Sequence, residues 1–292
     1  MEVLQDNDSF FVGRDLWQGK PAIIKRLQPT TSQSRRAGFR NEIAGMQRFG
    51  TFAHEHPEWG IKVPKVYAVS EDEIVREYMQ GQELVTEKTL DVDSAKLRLG
   101  KLARTLAAID MLIPGTDDDV VGENSAPYTN IRQRFEIWSK GPLEAGLLSE
   151  EGYAAANELI EEYQPYLTPR YAHGDMSPFD HVFLTPDNSI GLIDFEHYSS
   201  QKPRFYDLCY TYTRLFTRAQ DPALAGYFLG EFIAVSKSMD ERQLLAVMTQ
   251  RAVGMHIDAL NDYKQGKDYR KRAQKVLQLC LRRDIDALIQ CS

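Results

Sequence analysis

His173-Gly174-Asp175-Met176-Ser177-Pro178-Phe179-Asp180-His181, followed by Ile190-Gly191-Leu192-Ile193-Asp194-Phe195-Glu196, is the stretch whose reading decides this chain. Thr185-Pro186-Asp187-Asn188, between the two segments, is a turn signal. Asp175, Asp180 and Asp194 therefore fall on two short pieces joined by one tight turn, and a hairpin there brings three carboxylates to one place. Crowded carboxylates repel one another and, when ionised, need a compensating cation. Hard oxygen donors in that arrangement suit magnesium. A magnesium site beside one further carboxylate is what phosphoryl transfer requires. The metal neutralises charge on nucleotide phosphates, and the extra carboxylate orients or deprotonates the attacking hydroxyl.

Outward from this centre the chain changes character near Gly81. Before it, Ser9 to Leu16 and Pro21 to Leu27 flank Trp17-Gln18-Gly19-Lys20 and read as a hairpin. Ser34 to Phe52 carries Phe39, Ile43, Met46 and Phe49 at helical spacing. Val63 to Val69 and Ile74 to Met79 read as two further strands about the polar turn Ser70 to Glu73. After Gly81 helices dominate. Asp93 or Ser94 is placed to cap a helix carrying Leu99, Leu102, Ala103, Leu106 and Ile109, which stops before Pro114-Gly115. Another runs near Tyr153 to Tyr163. The acidic run Asp117-Asp118-Asp119 reads as a solvated loop. Towards the C-terminus, Leu244, Met248, Ala252, Met255 and Ala259 share one helical face, and Ala273, Val276, Leu277, Cys280, Leu281 and Leu288 share another. The expectation is an α+β chain of two lobes: residues 1–78 as a small, strand-rich lobe, 79–82 as a hinge, and 83–292 as a larger, mainly helical lobe. A cleft between lobes is a common ligand site.

Composition narrows the partners. Among 292 residues, 42% are hydrophobic and 26% charged, an ordinary globular balance. Lys plus Arg number 35 against 42 Asp plus Glu, a net charge of −7, which argues against broad nucleic-acid or anionic-membrane binding. Three scattered cysteines, Cys209, Cys280 and Cys291, form neither a disulfide framework nor a zinc pattern. His173, His181 and His197 read as loop-packing or substrate-facing groups rather than a zinc site. The first residues, MEVLQDNDSF, lack a signal-peptide pattern, and no apolar stretch approaches the ~20 residues that span a bilayer. A cytoplasmic protein is expected, with no oligomeric state implied.

HGDMSPFDHVFL followed by IGLIDFEH resembles the aminoglycoside phosphotransferase and choline kinase superfamily of small-molecule kinases, whose fold is like that of protein kinases. Asp207-Leu208 is similar to the family's downstream Asp-Leu element. The resemblance implies ATP and Mg2+ as cofactors and a small hydroxylated molecule as partner. It implies Asp175 as catalytic base, Asp180 and Asp194 as magnesium ligands, and His173 and Asp207 as supports of the catalytic loop. Lys25, in PAIIKRL, lies where such kinases place the Lys that pairs with nucleotide phosphates, and Glu42 is placed to orient it. Arg76 to Gly81 resembles the family's connector, in which the backbone of Glu77, Tyr78 and Met79 would bond an adenine edge. Two departures stand out. Asp180 replaces the family's metal-binding Asn. Gln5-Asp6-Asn7-Asp8-Ser9, in the place of the phosphate loop, has no glycine, so Ser9 is its one candidate donor. The implied reaction moves the γ-phosphoryl group to a hydroxyl of an aminoglycoside, a choline-like amino alcohol or a sugar. Asp194-Phe195-Glu196 resembles the IDFE of choline and ethanolamine kinases more than the IDW of many antibiotic kinases, and Tyr198, Tyr206, Tyr210 and Tyr212 read either as aromatic faces for a quaternary ammonium or, at least as well, as core packing of a helix. The departures also admit a catalytically impaired nucleotide-binding regulatory module. A protein kinase fits less well, because Asp207 follows Asp194 by only 207 − 194 = 13 positions.

Overall fold

The N-terminal part of the computed structural model is a twisted antiparallel sheet, and the structure describes residues 1–85, 91–115, 131–261 and 266–291. Strands β1 (Glu2–Asp6), β2 (Phe10–Trp17) and β3 (Lys20–Leu27) precede helix α1 (Gln33–Glu55), which is followed by β4 (Ile61–Lys62), β5 (Val66–Val69) and β6 (Glu73–Glu77). The sheet order is β1-β2-β3-β6-β5. The β2–β3 hairpin turns at Gln18-Gly19, both with positive φ, and pairs Phe10 with Leu27 through to Trp17 with Lys20. β1 is an edge strand exposed along its whole length, so it shows no alternation of apolar and polar positions. The segment read as a loop from Gln5 is strand to Asp6, and the turn is only Asn7 to Ser9.

Ser32 caps α1 by accepting the amide of Arg35 at 3.4 Å. Phe39, Met46 and Phe49 bury its inner face. Gly45 lets that face approach closely, because a Cβ there would lie 2.6 Å from Phe195 Cβ. Phe49 then sets its ring 5.2 Å from that of Phe195, tilted at 53°. The helix that carries Glu42 is thus packed directly on the segment that carries Asp194.

The remaining elements are β7 (Gln82–Glu83), α2 (Val92–Ile109), α3 (Ile131–Glu144), α4 (Glu150–Tyr163), β8 (Pro169–Ala172), β9 (Val182–Leu184), β10 (Ile190–Leu192), β11 (Ser199–Pro203), α5 (Tyr206–Thr217), α6 (Pro222–Val235), α7 (Glu241–Asn261), α8 (Gly266–Leu281) and α9 (Ile285–Gln290). α2 is capped by Asp91 rather than Asp93 or Ser94; Ser94 instead donates to Asp91 Oδ2 at 2.6 Å. α3 escapes a sequence reading because Gly141-Pro142, an ordinary turn signal, lies inside it. Leu288 belongs not to α8 but to α9, after a bend at Arg283 with φ 57. The Asp117 to Asp119 run lies outside the described residues.

A second sheet, ordered β4-β10-β9-β7, ties the two parts together. β4 pairs parallel with β10, and β7 pairs antiparallel with β9. The β9–β10 hairpin closes over Thr185 to Asn188, with Thr185 and Ser189 bonded across it. No helix among the described residues is long and apolar enough to cross a membrane.

Candidate active site

Beneath the first sheet lies a cavity of about 320 Å³, lined by Asn7, Ser9, Lys25, Glu42, Asp194 and Glu196 among others. Lys25 points inward from β3 and is 7% exposed. Its Nζ donates to Glu42 Oε2 and Glu196 Oε1, each at 2.5 Å, and stands 3.9 Å from Asp194 Oδ1. Burial opposes the ammonium charge, but Glu42, Asp194 and Glu196 outweigh it and hold the Lys25 pKa well above its ordinary value. Oxygens of Glu42, Asp194 and Glu196 all lie within 4.8 Å of one another. Arg35 reaches Glu196 at 3.3 Å and Arg76 approaches Glu42 at 3.9 Å, so the crowding is balanced from two further sides. Asn41 donates to the Glu196 carbonyl at 3.1 Å and fixes the backbone there.

Asp194 has φ 64, the left-handed region that side chains other than glycine rarely adopt. Such strain is stored at sites where surrounding contacts over-determine it. Its Oδ1 is buried and makes no hydrogen bond among the described residues, while Oδ2 stands 3.3 Å from His181 Nε2. The other nitrogen of His181 stands 3.0 Å from the Asp175 carbonyl and 3.4 Å from Asp175 Oδ2. His181 therefore bridges Asp175 and Asp194. Burial resists charging its ring, but the bonds and charges of Asp175 and Asp194 raise its pKa to about 9. In turn, burial would raise Asp175, yet His181 and Tyr210 hold it far below the usual carboxylate range.

The loop that presents Asp175 is braced from α5. Asp207 accepts the amides of His173 at 2.7 Å and Gly174 at 2.8 Å. Burial lifts the Asp207 carboxyl to about 6 in spite of those two amides. His173 is fully buried, and burial together with the charge of His181 lowers it to about 4. As a neutral ring it donates from Nε2 to the Ile193 carbonyl at 2.8 Å and accepts the Asp175 amide at 3.3 Å. Gly174 has φ 86, and a Cβ there would lie 2.0 Å from the His197 carbonyl oxygen.

A match to the model of the phosphotransferase enzyme family runs over residues 4–245 and so spans both parts of this arrangement. The chain belongs to that family. No curated protein sequence matches it. Among solved structures, the ADP-bound aminoglycoside phosphotransferase APH(2'')-Ib is similar at TM-score 0.58 and 14% identity, covering 99% of this chain and 93% of that one. The streptomycin–ATP complex of APH(2'')-IIa matches at TM-score 0.59 and 13% identity, over 95% and 90% of the two chains. The Plasmodium vivax ethanolamine kinase matches at TM-score 0.55 and 11% identity, over 96% and 81%. At these identities the likeness shows the fold, which is the two-lobed, protein-kinase-like α+β fold of the phosphotransferase family.

Within that family fold, Asp180 is not among the carboxylates of the described residues whose oxygens lie within 4.8 Å of one another. Arg218 at the end of α5 clasps it through Nη1 to Oδ2 and Nη2 to Oδ1, and Ser177 Oγ donates to Oδ2 at 3.0 Å. Burial works to raise the Asp180 pKa, but these partners lower it. Asp175, Asp180 and Asp194 therefore do not meet at one point: His181 fills the space between the first and the last, and a guanidinium holds the second. Ser9 lines the cavity, but its amide is taken by Asn7 Oδ1 at 2.9 Å. In the connector, the amides of Glu77 and Tyr78 already donate to the carbonyls of Lys65 and Pro21 at 2.8 Å and 3.1 Å. The bridging position of His181 had no signature beyond its place beside Asp180, whereas Glu196 was visible in the IDFE tetrad.

A second cavity, also about 320 Å³, opens on the other side of Gly174-Asp175 and is walled by Tyr206, Tyr210, Arg214 and Arg251. Of the four tyrosines noted in the sequence, Tyr206 and Tyr210 reach it. Tyr212 is buried with its hydroxyl on the Leu288 carbonyl at 3.0 Å, and Tyr198 packs edge-on against Phe49.

Proposed function

We propose that this protein transfers the γ-phosphoryl group of ATP, with magnesium, to a hydroxyl of a small molecule. The observation that carries the reading is the position of the Asp175–His181 pair on the wall between two cavities of similar size. The nucleotide would occupy the cavity under the sheet and the acceptor the cavity that contains Asp175.

Lys25 would keep Glu42 as its anchor and turn from Glu196 to the phosphates. Asp194 and Glu196 suit a magnesium ion, because Asp194 Oδ1 is a buried oxygen without a hydrogen bond and the neighbouring carboxylates are hard donors. Bound there, magnesium would neutralise phosphate charge. Asp175, held low by His181, is a weak base. It would orient the acceptor hydroxyl and take its proton late, as suits a loose phosphoryl-transfer transition state. His181, charged at neutral pH, would keep Asp175 and Asp194 in one mutual orientation.

The test is ADP release from ATP and Mg2+ with purified protein, together with Asp175→Asn. Loss of turnover with nucleotide affinity retained supports the assignment, and an unchanged kcat in the variant contradicts it. A second reading, a nucleotide-binding regulatory module, is favoured by the capture of Asp180 by Arg218 and by the occupied Ser9 amide. It predicts magnesium-dependent thermal stabilisation by ATP with no ADP release for any acceptor.

A further inference from the structure

The acceptor cavity gathers cations from four separate elements: Arg134 on α3, Lys202 on β11, Arg214 on α5 and Arg251 on α7. Two carboxylates face them. Asp175 is the proposed base, and Asp258 is engaged by Arg214 at 2.9 Å and by the Tyr269 hydroxyl at 3.2 Å. Arg251 is 7% exposed and has no carboxylate within ion-pairing distance among the described residues. Among the described residues its one hydrogen bond is a 3.4 Å contact to the Tyr206 hydroxyl, and its buried Nε has no partner there. Lys202 is 3% exposed, and its ammonium faces the Tyr206 ring at 4.7 Å with no ion pair among the described residues. A buried cation without a counter-charge is costly, and removing it from water is repaid only by an opposite charge or several good acceptors.

The aromatic faces in the same cavity are already taken. The Arg251 guanidinium lies over Tyr210 at 4.5 Å, Trp138 at 5.4 Å and Tyr206 at 5.7 Å. A quaternary ammonium would have to displace a cation fixed to the fold and enter beside three more. The cavity thus repels choline-like and polyamine acceptors even though the whole chain is acidic.

We infer that the acceptor is an anion: a small hydroxylated molecule carrying a carboxylate or a phosphate ester, whose charged end is held by Arg251, Lys202 and Arg134 while its hydroxyl faces Asp175. The planar guanidinium with a free Nε suits two-pronged binding of either oxyanion. Burial and the neighbouring charges of Arg134 and Arg251 push the Lys202 pKa well down against the pull of Asp207, so an incoming anion would also relieve repulsion within the cluster. The inference rests on the proposed transfer reaction for its orientation, but the binding claim stands without it.

The test pairs turnover with binding. ADP release is measured with Mg-ATP and matched acceptors: glycerol and glucose, glycerate and gluconate, glycerol phosphate and glucose phosphate, and choline and kanamycin. Calorimetric binding of the same compounds is measured on the full-length protein and on Arg251→Gln, Lys202→Met and Arg134→Gln. Arg134 is only half-buried, so its variant remains informative should the other two misfold. The expected result is at least about tenfold tighter binding of one anionic class than of its neutral counterpart, about 1.4 kcal/mol, lost in the variants. The carboxylate and phosphate arms tell the two oxyanions apart. Neutral or cationic compounds preferred, or anions bound no better by the unmodified protein than by the variants, would overturn the inference. ADP release with a cationic acceptor alone would keep the transfer reaction and sink the anion. Arginine-dependent anion binding without ADP release would do the reverse.

Discussion

The two cavities on either side of the Asp175–His181 pair hold their charges differently. Under the sheet, three carboxylates are matched by Lys25, Arg35 and Arg76; on the far side, four basic side chains surround one engaged aspartate and the proposed base. The first is balanced within itself until a metal-bearing nucleotide enters, whereas the second is out of balance in a way that an oxyanion would correct. The difference teaches that the overall charge of −7 says little about what a given pocket accepts.

The sharpest way to break this picture is at the wall between the cavities. Asp175→Asn is expected to lower turnover by about 10²- to 10⁴-fold, the usual contribution of a positioned acid–base group, with nucleotide affinity unchanged by titration calorimetry. Gly174→Ala should follow closely in consequence. Its new Cβ would collide with the His197 carbonyl, and chemical denaturation should record a loss of about 2–4 kcal/mol. The contrast between the two sides is tested next by a pair of variants. Lys25→Met should raise the nucleotide KM about tenfold or more and leave binding of an anionic acceptor alone, since it removes a charge-assisted contact made only on the nucleotide side. Arg251→Gln should do the opposite. If both variants shift both constants equally, the cavities are not separate sites. The smallest effect belongs to Asp180→Asn. Its pair with Arg218 is part-exposed, so stability should change by about 1 kcal/mol or less. Turnover within about threefold of the parent would place Asp180 outside the metal site, and a drop of a hundredfold would return it there.

The same contrast explains what could be read from the sequence. The nucleotide side is built from short local signals: a Lys in a strand, a Glu in the next helix, and the two halves of a hairpin. Each lies in a short segment that resembles the family's, so Lys25, Glu42 and Asp194 were legible although far apart in the chain, and they do converge. The acceptor side draws its cations from positions 134, 202, 214 and 251, which no periodicity connects. Arg134 was hidden further by a helix whose Gly141-Pro142 step reads as a turn. Tyr206 and Tyr210 were noticed as aromatic faces, but sequence does not say that an arginine from α7 lies on them. Asp180 shows a subtler gap. Exchanging an amide for a carboxylate adds a charge, and the charge found a guanidinium 38 positions away before it found its neighbours in the hairpin.

The backbone bonds between β4 and β10 and between β7 and β9, with the Ile190 amide on the Gly60 carbonyl at 2.7 Å, have a mechanical corollary. They lace the molecule across its waist, so neither half is a detachable module. A fragment ending near residue 78 would leave β4 without its partner strand and α1 without the Phe195 surface that buries Phe49. Expressed alone it would not hold its fold, and the two halves would melt in one transition.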